Sequence, residues 1–183
     1  MIDKNSNIYI AGHNGMVGSA CWRNLKIKGY NNLIGKSSNE LDLRNKNEVF
    51  SFINIIKPDV IINAAAKVGG IVANSENKFS FLIDNISIQN NLIEAALKNQ
   101  IENFIFLGSS CIYPKYAKQP MQEDALLTGL LEPTNEGYAL AKISGVKAIE
   151  FLRENKSLNY YSLMPTNLYG ENDNFNPQTS HVI

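Results

Sequence analysis

Cysteine and histidine are scarce in this 183-residue chain, at two of each, and tryptophan occurs once. Two cysteines far apart, Cys21 and Cys111, make no disulfide framework, and His13 and His181 stand in no zinc-ligand spacing. A stapled fold and a structural metal are therefore both set aside. Net charge is missing as well, because seventeen basic residues balance seventeen acidic ones. No broad field exists to recruit nucleic acid or an anionic membrane surface. No run approaches the roughly eighteen uninterrupted apolar residues of a membrane span, and the opening Met1-Ile2-Asp3-Lys4-Asn5-Ser6 lacks the apolar centre of a signal peptide. These absences lead us to expect a cytoplasmic protein with reduced thiols and neither nucleic-acid nor membrane partners. The many asparagines are scattered rather than tracted, and no function attaches to them at this level.

What the chain does have is an alternation of short apolar runs and amphipathic stretches. Asn7 to Ala11 reads as a buried parallel strand ending at Gly12. A helix is expected from Met16 to Lys28, with Val17, Ala20, Cys21 and Leu25 on its inner face. Leu33-Ile34 forms a second strand. Lys46 to Lys57 reads as a helix with Val49, Phe50, Ile53 and Ile56 inward, stopped by Pro58, and Asp59 to Asn63 as the strand after it. A helix near Asp84 to Asn99, a strand Phe104 to Leu107, a helix from about Glu136 to Arg153 and a strand Tyr160 to Met164 complete the pattern. Between Tyr113 and Pro133 a Pro-punctuated stretch reads as a functional loop region. Strands spaced by helices predict an α/β fold, a Rossmann-type doubly wound parallel sheet whose ligands bind beyond the carboxyl ends of the strands. Residues 1–183 form one such unit, and the ending just after a polar loop reads as a truncation before most of a substrate domain.

The turn Gly12-His13-Asn14-Gly15-Met16-Val17-Gly18 follows a strand and opens a helix, the context in which a glycine pattern carries meaning. Its spacing, GxxGxxG, permits a tight turn and close approach of backbone to a pyrophosphate lying on the helix N-terminus. A tight strand–helix turn and nothing more is the bland alternative. His13 is expected to shape this loop. After the second strand, Lys36 with Ser37 and Ser38 is suited to the extra phosphate of NADP, whereas a carboxylate there would suit NAD. An exposed solubilising lysine explains Lys36 equally simply.

Tyr138 and Lys142 lie four apart on a predicted helix and share one face. A nearby ammonium favours the phenolate and is expected to bring the phenol toward a working range for proton transfer to a carbonyl oxygen. Gly108-Ser109-Ser110-Cys111 sits directly beyond the fourth strand. Ser109 is placed to hydrogen-bond a substrate oxygen, Ser110 to cap or brace a loop. Cys111 is either a general base, if a cation stands near, or a small core hydrophobe. Cys21 reads as core. His181 has the natural pKa of an acid or base near neutrality.

The segments GHNGMVGSA from Gly12, AAAKVGGIVAN from Ala64, LGSSCIYPKYAKQPM from Leu107, EPTNEGYALAK from Glu132 and MPTNLYGENDNF from Met164 resemble the GDP-L-fucose synthase family of extended short-chain dehydrogenases/reductases. The resemblance runs across essentially the whole chain. It implies an NADP(H)-dependent enzyme that epimerises GDP-4-keto-6-deoxy-D-mannose at C3 and C5 and reduces it at C4, working as a homodimer. It further implies a Ser109-Tyr138-Lys142 reduction set and an epimerisation pair of Cys111 as base and His181 as acid. Substrate contacts are implied for Ser109, Ser110, Cys111, Tyr138 and Asn167. Cofactor contacts are implied for the glycine turn, Lys36, Ala65, Leu107, Gly108, Lys142, Pro165, Asn167, Leu168 and His181. Lys67 is a candidate phosphate contact or a plain surface lysine. The chain departs from the family pattern at Asn14 and Ser38, where a basic residue is usual, at Gly137, where proline is usual, and in length. A neighbouring enzyme acting on another GDP-4-keto-6-deoxy sugar, such as a capsular heptose, is the nearest alternative.

Overall fold

A computed structural model describes residues 2–156 and 158–176. Five parallel strands form one sheet in the order β2-β1-β3-β4-β5, with β1 at Ile8–Ala11, β2 at Leu33–Ile34, β3 at Val60–Asn63, β4 at Asn103–Leu107 and β5 at Asn159–Leu163. The central register pairs Ile8 with Val60 and Asn103 with Asn159, so every strand points the same way. All carboxyl ends therefore open onto one edge.

The strands are apolar on both faces because both faces receive cover. Ile8, Ile10, Val60 and Ile62 turn toward α1 (Met16–Ile27), where Cys21, Trp22 and Leu25 pack on them. Tyr9, Ile61, Phe104, Phe106 and Tyr160 turn the other way, into the main core. That core is closed by α2 (Lys46–Ile56), α4 (Lys78–Lys98) and α5 (Glu136–Lys156). Within it Leu92 and Ile53 are fully buried, the setting in which truncation to alanine costs roughly 2–5 kcal/mol. Asn45 caps α2 by accepting from the amides of Asn47 and Glu48 at 3.2 and 3.4 Å. The same helix ends at Lys57 in the left-handed region (φ 43°), directly before Pro58.

The strand and helix pattern matches the expectation with three differences. Ala20 is exposed, since the inner face of α1 is carried by Gly18, Cys21, Trp22 and Leu25. A short helix α3 (Ile71–Glu76) and the first turn and a half of α4 were not anticipated. The inward position of α3 is filled by a carboxamide, Asn74, which an apolar periodicity passes over. Helix α5 runs on past Arg153 to Lys156. Between Tyr113 and Pro133 the chain forms only a single 3₁₀ turn at Glu123–Ala125. Among the described residues no helix is long and apolar enough to cross a membrane.

Candidate active site

The first part of the site is the β1–α1 turn. Gly12 has φ +78°, and a Cβ placed on it would lie 2.8 Å from the Ala65 backbone. Only glycine lets the first and third strand ends approach this closely. A Cβ on Gly18 would overlap the Gly12 carbonyl oxygen, which locks helix α1 against its own turn. At Gly15 the only near atom is that same carbonyl, at 3.4 Å, and no side chain caps α1. The first amides of a twelve-residue helix thus face an open cradle of bare backbone, the geometry that fits a pyrophosphate. His13 packs its ring beneath Gly35 and against Trp22, 5.6 Å between centroids, the loop-shaping position expected of it. Asn14 is exposed.

The two lysines considered for phosphate contact are both engaged. Lys36 Nζ lies 3.1 Å from Glu40. Glu40 also accepts from the Ser37 amide at 2.9 Å and the Ser37 hydroxyl at 2.7 Å, and these bonds hold its carboxyl far below the usual range. Lys67 Nζ donates to Asp84 at 2.7 Å and to Ser80.

The second part lies at the ends of β4 and β5. Gly108 N donates to Leu163 O at 2.8 Å, and Met164 packs so tightly on Gly108 that a Cβ there would strike its sulfur. Ser110 N donates to Pro165 O at 3.3 Å, so the loops carrying Ser109–Cys111 and Pro165–Leu168 run side by side. Ser109 starts the 3₁₀ turn Ser110–Ile112, its hydroxyl accepting from Cys111 N at 3.4 Å. Asn167 and Leu168 are exposed, and Leu168 borders a surface hollow it shares with Met16 and Val17 of α1.

Helix α5 supplies the third part. Lys142 is 3% exposed, donates to Leu107 O at 2.7 Å, and sits 4.8 Å from the Phe106 ring and 5.7 Å from the Tyr138 ring. Burial lowers its pKa to about 8, opposed by the Cys111 thiolate. The Tyr138 hydroxyl is pushed above its ordinary value, first by burial and then by Cys111, while a hydrogen bond with Ser109 works in the opposite direction. The ammonium was expected to bring this phenol down. In the structure desolvation sets the direction, and Lys142 Nζ donates to the Leu107 carbonyl. Burial also raises the Cys111 thiol, and the Ser109 hydroxyl and Lys142 draw it back. Ser109, Cys111, Tyr138 and Lys142 therefore form one electrostatically coupled group at the edge where β4 ends. His181 lies outside the described residues.

Sequence reasoning passed over the carboxamides that hold the loop after β3. Asn63 (1% exposed) ends β3 and accepts from Ala65 N at 3.2 Å. Asn85 (2% exposed) accepts from Lys67 N at 2.8 Å and donates to Lys67 O at 3.0 Å. Asn74 donates to the carbonyls of Gly69 and Gly70. The loop from Ala64 to Gly70 is thus pinned at three places. The readable signal was polar residues at helix positions where the periodicity demands apolar ones.

A parallel sheet with a glycine turn at its first strand, and a Ser-Tyr-Lys group at the ends of its fourth strand and fifth helix, defines a Rossmann-type protein of the reductase and epimerase class. The chain belongs to the NAD dependent epimerase/dehydratase family, whose model matches residues 8–183. It is 51% identical over 183 residues to GDP-L-fucose synthase 1 of Arabidopsis thaliana, covering 100% of this chain and 57% of that protein. It is 51% identical over 176 residues to GDP-L-fucose synthase of Escherichia coli (strain K12), covering 96% and 55%. Among solved structures, a GDP-D-glycero-L-gluco-heptose synthase from Campylobacter jejuni, determined in the presence of NADPH, superimposes with a TM-score of 0.95 at 37% identity, covering 100% of this chain and 53% of that one. The chain spans about half the length of the curated relatives it matches.

Proposed function

We propose that residues 1–183 are the NADP(H)-binding domain of an enzyme that converts GDP-4-keto-6-deoxy-D-mannose to GDP-L-fucose by epimerisation at C3 and C5 and reduction at C4. The observation that carries this reading is the placement of Ser109 and Cys111 directly after β4 with Lys142, beside the Tyr138 ring, donating to the last carbonyl of that strand, in a chain half identical to proteins named for that activity. The glycine turn receives the cofactor pyrophosphate, and Ala65, Leu107, Gly108, Pro165, Asn167 and Leu168 line its path toward the catalytic group. Asn167 and Ser110 border the sugar. Lys36 approaches the adenosine ribose with Glu40 attached. The assembly is a cytoplasmic homodimer.

The chemistry follows from the C4 ketone, which acidifies the protons at C3 and C5. Cys111, as thiolate, removes one of these protons, and the negative charge moves onto O4, where the Ser109 and Tyr138 hydroxyls stabilise it. His181 returns a proton to the opposite face of the same carbon, and once Cys111 has released its proton to solvent and His181 has taken one up, the cycle repeats at the second carbon. Bound NADPH supplies the hydride that reaches C4. Tyr138 gives its proton to O4 in the same step, and Lys142 holds the resulting phenolate. The experiment is direct: the protein at its full natural length, NADPH and GDP-4-keto-6-deoxy-D-mannose, with the product identified by NMR. GDP-L-fucose is the expected product, and absence of turnover removes the proposal.

A second reading, reduction of a GDP-linked keto-heptose, is favoured by the heptose synthase superposition. Turnover of a GDP-4-keto-heptose in preference to the six-carbon sugar would select it.

A further inference from the structure

Helix α4 crosses behind both halves of the site, and its inner face carries two buried carboxamides one turn apart. Asn85 holds the cofactor-side loop through both the amide and the carbonyl of Lys67. Gln89, 2% exposed, donates from Nε2 to Ala141 O at 2.8 Å and to Ser144 Oγ at 2.9 Å. Ala141 directly precedes Lys142, and its carbonyl also accepts from the Ser144 hydroxyl at 2.7 Å. A Cβ on Gly145 would strike the Phe106 ring and meet Gln89 Cδ at 3.0 Å, so the helix meets the sheet and the Gln89 amide with no spare room. At its other end, a Cβ on Gly137 would strike the Lys78 carbonyl, which brings α5 onto the first turn of α4.

A polar amide buried between two helices costs free energy unless it is paired, and an apolar residue would fill this space without that constraint. What the amide adds is direction. An apolar contact tolerates sliding of α5 along α4, whereas two hydrogen bonds to the turn containing Lys142 fix both its axial position and its rotation. Lys142 in turn donates to Leu107 O, at the end of the strand that leads into Ser109 and Cys111.

We propose that Gln89 is a positioning residue for the catalytic helix and Asn85 for the cofactor loop, so that α4 sets the spacing between nicotinamide and the Tyr138–Lys142 pair. The inference rests on the functional reading above. Neither residue touches the reacting atoms; each acts through the backbone it holds. Misplacement by about 1 Å is enough to cost on the order of a hundredfold in rate.

The test uses the full-length protein and three isolated changes on the same helix. Gln89→Leu is expected to lower kcat for reduction at least tenfold while the NADPH Kd stays within twofold. Asn85→Asp, which keeps the acceptor for Lys67 N and loses the donor to Lys67 O, is expected to raise the NADPH Kd at least tenfold. Asn91→Leu is the reference for a merely structural amide, since Asn91 is equally at home in α4 but donates to Leu43 O and Arg44 O at 2.9 and 3.1 Å, away from the site. It is expected to lower the melting temperature and to leave kcat and Kd within twofold. If Gln89→Leu does not fold, Ser144→Ala, at an exposed position, removes one of the two acceptors and is expected to lower kcat severalfold. Equal effects of all three substitutions on kcat and Kd, or a Gln89 variant with unchanged kcat, overturn the proposal. The Asn85 arm is read by NADPH binding alone, so a wild-type protein that binds NADPH without turning over the keto sugar refutes the functional reading and leaves this arm to be judged by its own Kd.

Discussion

Replacing Lys142 by methionine gives a thermodynamic test of the buried cation at the centre of the site. Burial lowers the lysine pKa from 10.5 to about 8 in the folded chain. Below pH 8 both states hold the proton, and the folded state carries the full cost of burying the charge. Between pH 8 and 10.5 the folded protein releases its proton while the unfolded chain keeps it, so the unfolded state binds more protons and stability contributed by this site rises with pH. At about 1.4 kcal/mol per tenfold change in proton affinity, the whole displacement corresponds to roughly 3 kcal/mol. The Lys142→Met variant lacks this titration, and with both proteins carrying Cys111→Ala, the thiol that interacts with Lys142, subtracting one stability from the other cancels the remaining titrating groups. Urea unfolding followed through Trp22, the only tryptophan, at a series of pH values from 7 to 11 supplies both curves. The protein that keeps Lys142 is expected to gain about 3 kcal/mol on the Lys142→Met variant across that range, most of it between pH 8 and 10. A difference that stays flat, or moves the other way, refutes the assignment of Lys142 as a buried, desolvated ammonium.

Four further outcomes follow from the same geometry. Gly12→Ala places a Cβ 2.8 Å from Ala65 at a residue with φ +78°, and is expected to weaken NADPH binding more than tenfold by isothermal calorimetry. Asn45→Ala removes the cap of α2 and is expected to cost about 1 kcal/mol in urea unfolding, with no change in cofactor affinity. Because burial raises the Cys111 thiol above its usual 9.0 and the base proposed above is its thiolate, exchange of substrate protons with solvent is expected to keep rising with pH through 9, read by NMR in buffered heavy water; a plateau below pH 8 contradicts it. Tyr138→Phe is expected to lower reduction by about 10² to 10⁴ while NADPH binding stays near wild type.

The parts of this molecule that sequence makes visible are those governed by local rules. Strand β3 is four buried apolar or amide positions shortly after Pro58, and the preceding helix ends before that proline, at Lys57. The glycine turn is equally legible, because its requirement for bare backbone is written in residue type. Helix α3 was hidden because Asn74 occupies its inner face, and a carboxamide becomes a core residue only when neighbouring carbonyls accept from it. The pairing of Lys36 with Glu40 and of Lys67 with Asp84 was likewise out of reach, and it changes what those lysines offer a phosphate. Tyr138 and Lys142 could be placed on one helix face, but the direction of the phenol's shift depends on burial, which spacing does not report.

The central claim is that one cluster performs both epimerisation and reduction, and its most direct test is the full-length enzyme turning over GDP-4-keto-6-deoxy-D-mannose with NADPH in heavy water, beside its Cys111→Ala variant. The account predicts GDP-L-fucose carrying deuterium at both C3 and C5 from the wild type, and from the variant a C4-reduced sugar with neither carbon labelled. Deuterium at both positions in the Cys111→Ala product, or a wild-type product reduced without label, would contradict it.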